Sequence, residues 1–350
     1  MISLSNIFPV ISTATQQKSQ SKLNLWQMED DFPSNGSIVQ QLNFLLNYAT
    51  LSSSSYKTQP WSFEIVDNVI ELYINQSRVS PANSDIRELI ISCGAAIFHL
   101  CIAIRHFGYQ DVIEILPEPR NFNLLARICL GSRRIPRIEE NFLFRAITKR
   151  RTNRLSDNCK IPSSLQTELE LAACSEGDWL QITTQIIDER HREVVIKSIA
   201  EGDRLQRLEL HSCSSSTSHS RSVRNRGLLN RRLNAISPLI SRAFRSFDSS
   251  KSQTVEDCYP NHKAPLMLIC SDDDTPQDWL ATGQALAHLL LRAKIDDVWL
   301  SFFNQPIQVP QLRSRLQALY PDNGYPQILL RLDRSAENES SRLLEGIWID

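Results

Sequence analysis

Asp85-Ile86-Arg87-Glu88-Leu89-Ile90-Ile91-Ser92-Cys93-Gly94-Ala95-Ala96-Ile97-Phe98-His99-Leu100-Cys101-Ile102-Ala103-Ile104-Arg105-His106-Phe107 decides how this chain folds. Asn83, Ser84 and Asp85 offer N-caps, and the apolar residues that follow cover nearly every face of a helix from Ile86 to Phe107. A helix apolar all round is buried, and Gly94-Ala95-Ala96 lets a neighbouring backbone come close. The stretch predicts a central helix with other elements packed around it.

Working outward, Ser37 to Thr50 shows helical spacing through Ile38, Leu42, Leu45, Leu46 and Ala49. Leu51 to Pro60 reads as a loop. Trp61–Val66 and Val69–Ile74 flank Asp67-Asn68 and predict a hairpin. Strand patterns follow at Val112–Leu116 and Leu124–Cys129, then a helix at Ile138–Ile147. Beyond it the sequence predicts helices at Gln166–Ala173 and Arg190–Leu210 and a strand at Pro265–Cys270. A helix at Asp278–Lys294 presents Trp279, Gly283, Leu286 and Leu290 as one stripe. A helix at Val309–Leu319 and a strand at Gln327–Leu332 close the chain. The order helix, loop, hairpin, long helix, strand recurs in outline after residue 148.

The chain has 350 residues, 41% hydrophobic and 22% charged, which suits one large globular domain or two ordinary ones. A net charge of -1 exerts no general pull on nucleic acid or an anionic membrane. No two glycines lie closer than Gly94 and Gly108. This excludes the G-x-G-x-x-G and G-x-x-x-x-G-K phosphate loops and the G-x-S-x-G elbow. Any bound phosphate must then be held by side chains or helix N-termini. None of the eight cysteines forms C-x-x-C. No basic leader is recognised at residues 1–15, and Arg105, His99 and His106 interrupt the longest apolar stretch. These features predict a reducing, cytoplasmic setting and no membrane partner.

Two clusters could carry chemistry. Arg150-Arg151-Thr152-Asn153-Arg154, if extended, points Arg150, Thr152 and Arg154 the same way, enough to grip a phosphate with two guanidinium forks and a hydroxyl. From spacing alone it reads first as a solvated basic patch at a helix C-terminus, where cations are favoured anyway. In Ser52-Ser53-Ser54-Ser55-Tyr56-Lys57-Thr58-Gln59-Pro60-Trp61, the proline predicts an extended Gln59 and a rigid lead into the strand. Such a loop can face the edge of a heterocycle, or it can be an ordinary polar loop before a core tryptophan. His99-x-Cys101 and His211-x-Cys213 lack a second ligand pair and read as core or loop. From His211 to Phe247 there is no acidic residue, and Arg221, Arg224, Arg226, Arg231, Arg232, Arg242 and Arg245 fall within it. That run reads as an insertion or lid, with anion or nucleic-acid binding as the alternative.

Together these segments resemble the nitroreductase superfamily, and more closely its twin, Acg-type branch, in which two halves are fused. Ala49-x-Leu51-x-x-Ser54-Ser55-x-x-Thr58-Gln59-Pro60-Trp61-x-Phe63 resembles the signature A-x-x-A-P-S-x-H-N-T-Q-P-W-x-F. Arg87-Glu88 through Gly94-Ala95-Ala96 is similar to R-E-x-x-I-S-x-G-A-A, and Arg150 to Arg154 to R-R-T-N-R. Trp279-Leu280-x-x-Gly283-Gln284-Ala285-Leu286, Asn304-Gln305-Pro306 and Pro326-Gln327-x-Leu329-Leu330-Arg331-Leu332 resemble the C-terminal half. The likeness runs in order from about residue 36 to 345. The chain departs from the pattern at Tyr56-Lys57, where the branch has His-Asn, and at Asp333, where it has glycine.

The resemblance implies an α+β nitroreductase-like fold, monomeric, with two halves forming a pseudo-dimer within the chain. The expected divisions are an arm at 1–22, a first half at 23–147 and a second at 148–350 with the Ser/Arg-rich insertion at about 211–250. It implies one FMN, its phosphate held by Arg150, Arg151, Thr152 and Arg154, with Arg342 a further candidate. Ser53, Ser54, Ser55, Lys57 and Gln59 would line the flavin, and no metal is expected. It implies hydride transfer from NAD(P)H through flavin N5 to a small electron-poor acceptor such as a nitroaromatic or quinone. The alternative is a non-catalytic protein of this fold that binds or sequesters flavin.

Overall fold

The computed structural model describes residues 29–52, 59–75, 85–149, 161–174, 182–216 and 264–334. The chain divides into two compact units that do not follow chain order. The first is Met1–Arg151, Ala172–Ile182 and Asp274–Ile295; the second is Thr152–Leu171, Thr183–Asp273 and Asp296–Asp350.

In the first unit, α1 (Ile38–Thr50) starts at a capping box. Gln40 N donates to Ser37 Oγ at 3.3 Å, and Ser37 N donates to Gln40 Oε1 at 2.8 Å. Its apolar face puts Leu42, Leu45 and Ala49 fully in the core. β1 (Trp61–Val66) and β2 (Val69–Ile74) pair antiparallel across Asp67-Asn68. Both turn residues are left-handed, at φ 47° and 67°, the geometry of a type I′ turn. The central helix α2 (Ile86–His106) is capped by Asp85 and buried from Arg87 to Ile104. It passes the length and composition test for a membrane span, with a mean hydropathy of 1.7, which the reading of its interruptions did not anticipate. Of that window 89% is buried inside the protein.

Gly108, at φ 82°, turns the chain into β3 (Tyr109–Ile115), which pairs with β4 (Leu124–Arg133) before α3 (Ile138–Lys149). The sheet order is β1-β2-β4-β3. Ile70, Leu72, Ala126 and Ile128 face the core. The other face is polar: Glu71, 6% exposed, accepts from Arg127 Nε at 2.9 Å and from Tyr73 OH at 2.6 Å.

α4 (Ser163–Cys174), β5 (Ile182–Ile186), α5 (Glu189–Ser216) and β6 (Leu266–Ser271) follow, and then α6 (Pro276–Ile295). α6 belongs to the first unit although the strands on either side of it in sequence belong to the second. It crosses α2 at two glycines. A Cβ on Gly94 would stand 2.1 Å from the Leu280 carbonyl oxygen, and one on Gly283 would stand 1.9 Å from that of Ile91. Of the expected stripe Trp279-Gly283-Leu286-Leu290, Gly283 lies at the crossing and Trp279 packs against the core, while Leu280, Ala287 and Leu291 join the core beside α2 as well.

In the second unit, β7 (Val298–Phe302), the short α7 (Gln305–Gln308), α8 (Pro310–Leu319) and β8 (Tyr325–Arg334) complete a sheet of order β5-β6-β8-β7. This is the order of the first sheet. Long helices stand at matching places, α2 between β2 and β3 and α6 between β6 and β7. Asp297, at φ 54°, precedes β7 as Gly108 precedes β3, and lies as far beyond Gly283 as Gly108 lies beyond Gly94. The two sheets therefore share a strand order, but the hairpin expected to recur after residue 148 does not, because α5 stands between β5 and β6.

The second sheet differs in cover. Leu266, Leu268, Cys270 and Leu329 pack with Val195 and Ile199 of α5, Ile307 of α7 and Leu316 of α8. Met267, Ile269 and Leu330, on the opposite face, are also fully buried. A strand buried on both faces reads as a continuous apolar run, as Leu-Met-Leu-Ile-Cys does, whereas β2 interposes Glu71. β5 and β7, absent from the sequence reading, are the two edges of this sheet. α5 continues through Ser216, into the Ser-rich run; residues 217–263 lie outside the described part.

Candidate functional site

α1 runs out at Thr50, and its last backbone carbonyls lack helical partners. One is taken from an unexpected direction: Gln59 Nε2 donates to Thr50 O at 3.0 Å. Gln59 is not extended, as its proline neighbour led us to expect. It is left-handed, at φ 46°, a strained conformation for a residue with a Cβ. The bond to Thr50 and the fixed position of Pro60 override the local preference. Pro60 O accepts from Asn75 N at 2.7 Å and faces Cys93 Sγ of α2 at 3.9 Å. Trp61 is 2% exposed and lies in the core. Burial pushes the Cys93 thiol far up, so it is a packing group and not a nucleophile.

Ser53, Ser54, Ser55 and Lys57 fall between these two anchors, outside the described residues, as do Arg150, Arg151, Thr152, Arg154 and Arg342. The helices that lead into the two clusters do meet. Tyr48, near the end of α1, packs its ring 4.8 Å from that of Phe144 on α3. Leu143, Ala146 and Ile147 bury the same face of α3 in the core. α3 ends at Lys149, immediately before Arg150.

Sequence reasoning missed Ser52. It is 8% exposed, its N–H bonds Ala49 O at 3.1 Å, and its Oγ has no hydrogen-bond partner. An orphaned buried hydroxyl at the head of the predicted loop is what a polar ligand would satisfy, and to that extent the residues present fit a flavin nucleotide. Its signal was the serine run itself, within which nothing distinguished one serine.

The other matching segments are structural where they can be followed. Arg87 is 5% exposed and bonds Asp85 Oδ2 at 2.9 Å. Asn304 Oδ1 accepts from Leu329 N at 2.9 Å, fixing the start of α7 to β8. Asp333, where the resembled pattern has glycine, is 6% exposed and accepts from Arg331 Nε at 2.8 Å, so its charge is neutralised internally. His99 and Cys101 are buried in α2, and among the described residues no group of His, Cys, Asp and Glu could hold a metal.

No protein-family model matches the chain. Curated relatives do, along most of their length. The "Putative NAD(P)H nitroreductase Rv3131" of Mycobacterium tuberculosis is 23% identical over 299 residues, 84% of this chain and 85% of the relative. The "Putative NAD(P)H nitroreductase acg" of the same organism is 22% identical over 296 residues, covering 83% and 88%. Over most of its length the chain is similar to the Acg-type nitroreductase-like proteins. The "Uncharacterized protein Rv3127" is similar too, at 24% identity over 303 residues, 81% of this chain and 84% of the relative.

Among solved structures, the FMN-dependent nitroreductase NfnB from Mycobacterium smegmatis, in complex with NADPH, is 11% identical. It aligns with 60% of this chain and 93% of its own at a TM-score of 0.36. A Bacteroides fragilis nitroreductase with bound FMN is 15% identical, aligning with 56% and 89% at a TM-score of 0.34. At these scores nothing further rests on the likeness.

Proposed function

We propose that this chain is an FMN-dependent NAD(P)H oxidoreductase that reduces a small electron-poor acceptor. The observation that carries the reading is the packing of Tyr48 on Phe144 at 4.8 Å, which joins the two helices that end at the predicted flavin and phosphate clusters. The named relatives support it. Arg150, Arg151, Thr152 and Arg154 would hold the phosphate, and Arg342 would add to them. Ser53, Ser54, Ser55 and Lys57 would line the ring system. FMN, when bound, supplies the hydride chemistry. The chain's own residues bind and orient it, and Trp61 and the α2 core keep water from the wall behind. The proposed division is a first half at 23–147 and a second at 148–350, acting as one pseudo-dimer in a monomer.

The experiment is oxidation of NADPH and NADH by the FMN-loaded chain with a quinone or nitroaromatic acceptor. Turnover that depends on both acceptor and FMN is expected. Tight FMN binding without turnover would overturn the enzymatic reading in favour of a flavin-sequestering protein.

A further inference from the structure

We infer that the outward face of α3 is a weak self-association surface, on which a second copy of this chain docks about a two-fold axis beside Phe142. The inference goes beyond the flavin reading and does not rest on it. A surface helix ordinarily turns a polar face to water. α3 buries Leu143, Phe144, Ala146 and Ile147 in the core, yet Ile138 and Phe142 on its other side are 76% and 52% exposed. Ile135, just before the helix, is 89% exposed. Ile138 and Phe142 stand one turn apart on a single stripe. Large apolar side chains this close together and this open mark a surface that a partner covers.

The charges beside the patch identify the partner. Glu139 and Arg145 are both exposed, and neither is in an ion pair among the described residues. Each lies three residues from Phe142, one before it and one after. At about 100° per residue, they flank Phe142 by about 60° on opposite sides. Two copies of α3 laid antiparallel, Phe142 on Phe142, therefore bring Glu139 of each copy against Arg145 of the other. This is the self-complementarity of an isologous contact, in which one surface serves as both partners. Ile138 of each copy then lies over the aliphatic stem of the other's Arg145. An unrelated partner would give no reason for that symmetry. Three apolar side chains from each copy cannot fill the roughly 1,200 Å² at the low end of stable interfaces. The chain is accordingly a monomer when dilute and pairs only when concentrated.

Sedimentation equilibrium of the full chain, from the low micromolar range to about 1 mM, tests this. Wild type should be monomeric at the low end and pair reversibly toward the high end. Glu139→Arg and Arg145→Glu, each alone, set like charges against each other at both contacts and should weaken pairing at least about tenfold. The double change Glu139→Arg, Arg145→Glu should recover wild-type pairing. An equimolar mixture of the two single variants should recover it too, because in the mixed pair every contact again joins a cation to a carboxylate. Phe142→Ser should abolish pairing in all of these backgrounds. Wild type that stays monomeric throughout the range, or single variants that pair as well as wild type, would overturn the inference. So would a chain that pairs only once residues 1–28 are deleted, which would make that segment the occupant of the face. Loss of pairing in the single variants without recovery in either the double variant or the mixture would overturn the two-fold arrangement. No readout involves flavin, so failure here leaves the proposed function standing.

Discussion

Gly94 and Gly283 face each other where α2 and α6 cross: a Cβ built on Gly283 would stand 2.9 Å from the Gly94 Cα and 1.9 Å from the Ile91 carbonyl oxygen. The relation is reciprocal, since Gly94 meets Leu280, which precedes Gly283 as Ile91 precedes Gly94. Backbone meets backbone, so no side chain can swing aside to admit a methyl group. Alanine ordinarily favours a helix over glycine by about 1 kcal/mol, but here overlap outweighs propensity. Gly283→Ala should lose about 3 kcal/mol of stability. Urea unfolding of the two proteins decides it, and a variant as stable as wild type would show that the helices cross farther apart.

His288 lies buried on the same helix, its ring 5.2 Å from Phe98. Burial pushes its imidazole down to about 4, with Arg105 and Arg292 adding to the effect and a hydrogen bond to the Ala172 backbone opposing it. The folded state therefore favours the neutral ring, and the unfolded chain binds the extra proton. Stability from this group is fully present above the ordinary histidine value of 6.5 and is lost as pH falls toward about 4. By pH 5 the loss should reach about 2 kcal/mol. His288→Gln should flatten the slope of stability between pH 7 and pH 5; parallel slopes would place the acid sensitivity elsewhere.

Much of this architecture could be read in advance. The caps and unbroken apolar surface of α2, the Asp67-Asn68 hairpin and the glycine at the centre of α6 follow from local chemistry. β5 and β7 escaped because they are edge strands of five residues, partly exposed, in which polar and apolar side chains do not alternate cleanly. The stripe of α6 was drawn too narrow, because that helix buries Leu280, Ala287 and Leu291 beside Gly283 and Leu286. In the candidate site, the spacing of serines and arginines suggested a ligand, but the left-handed Gln59 was invisible. A tertiary bond to Thr50 sets that angle, against the preference of a residue before proline.

The polar face of the first sheet offers a separate test. Glu71 is 6% exposed and bonds Arg127, which also bonds Glu118. Burial lowers the Arg127 pKa, but these two carboxylates outweigh that and hold it above its ordinary value. Arg127→Ala leaves the Glu71 carboxylate buried without its cation and should cost about 3 kcal/mol. The double variant Glu71→Gln, Arg127→Met removes both charges and should cost less than the single change. Thermal unfolding of the two variants gives the order, and the reverse order would mean that Glu71 is solvated without Arg127.

On the proposed function, one FMN is held by the cluster that follows α3. Titration of FMN fluorescence with the full chain, and with Arg150→Ala, Arg154→Ala, tests it most directly. Wild type should quench FMN saturably at one flavin per chain, and the double variant should bind at least about a hundredfold more weakly through loss of two charge-assisted grips. Absence of quenching by wild type, or equal affinity in the two proteins, would contradict it.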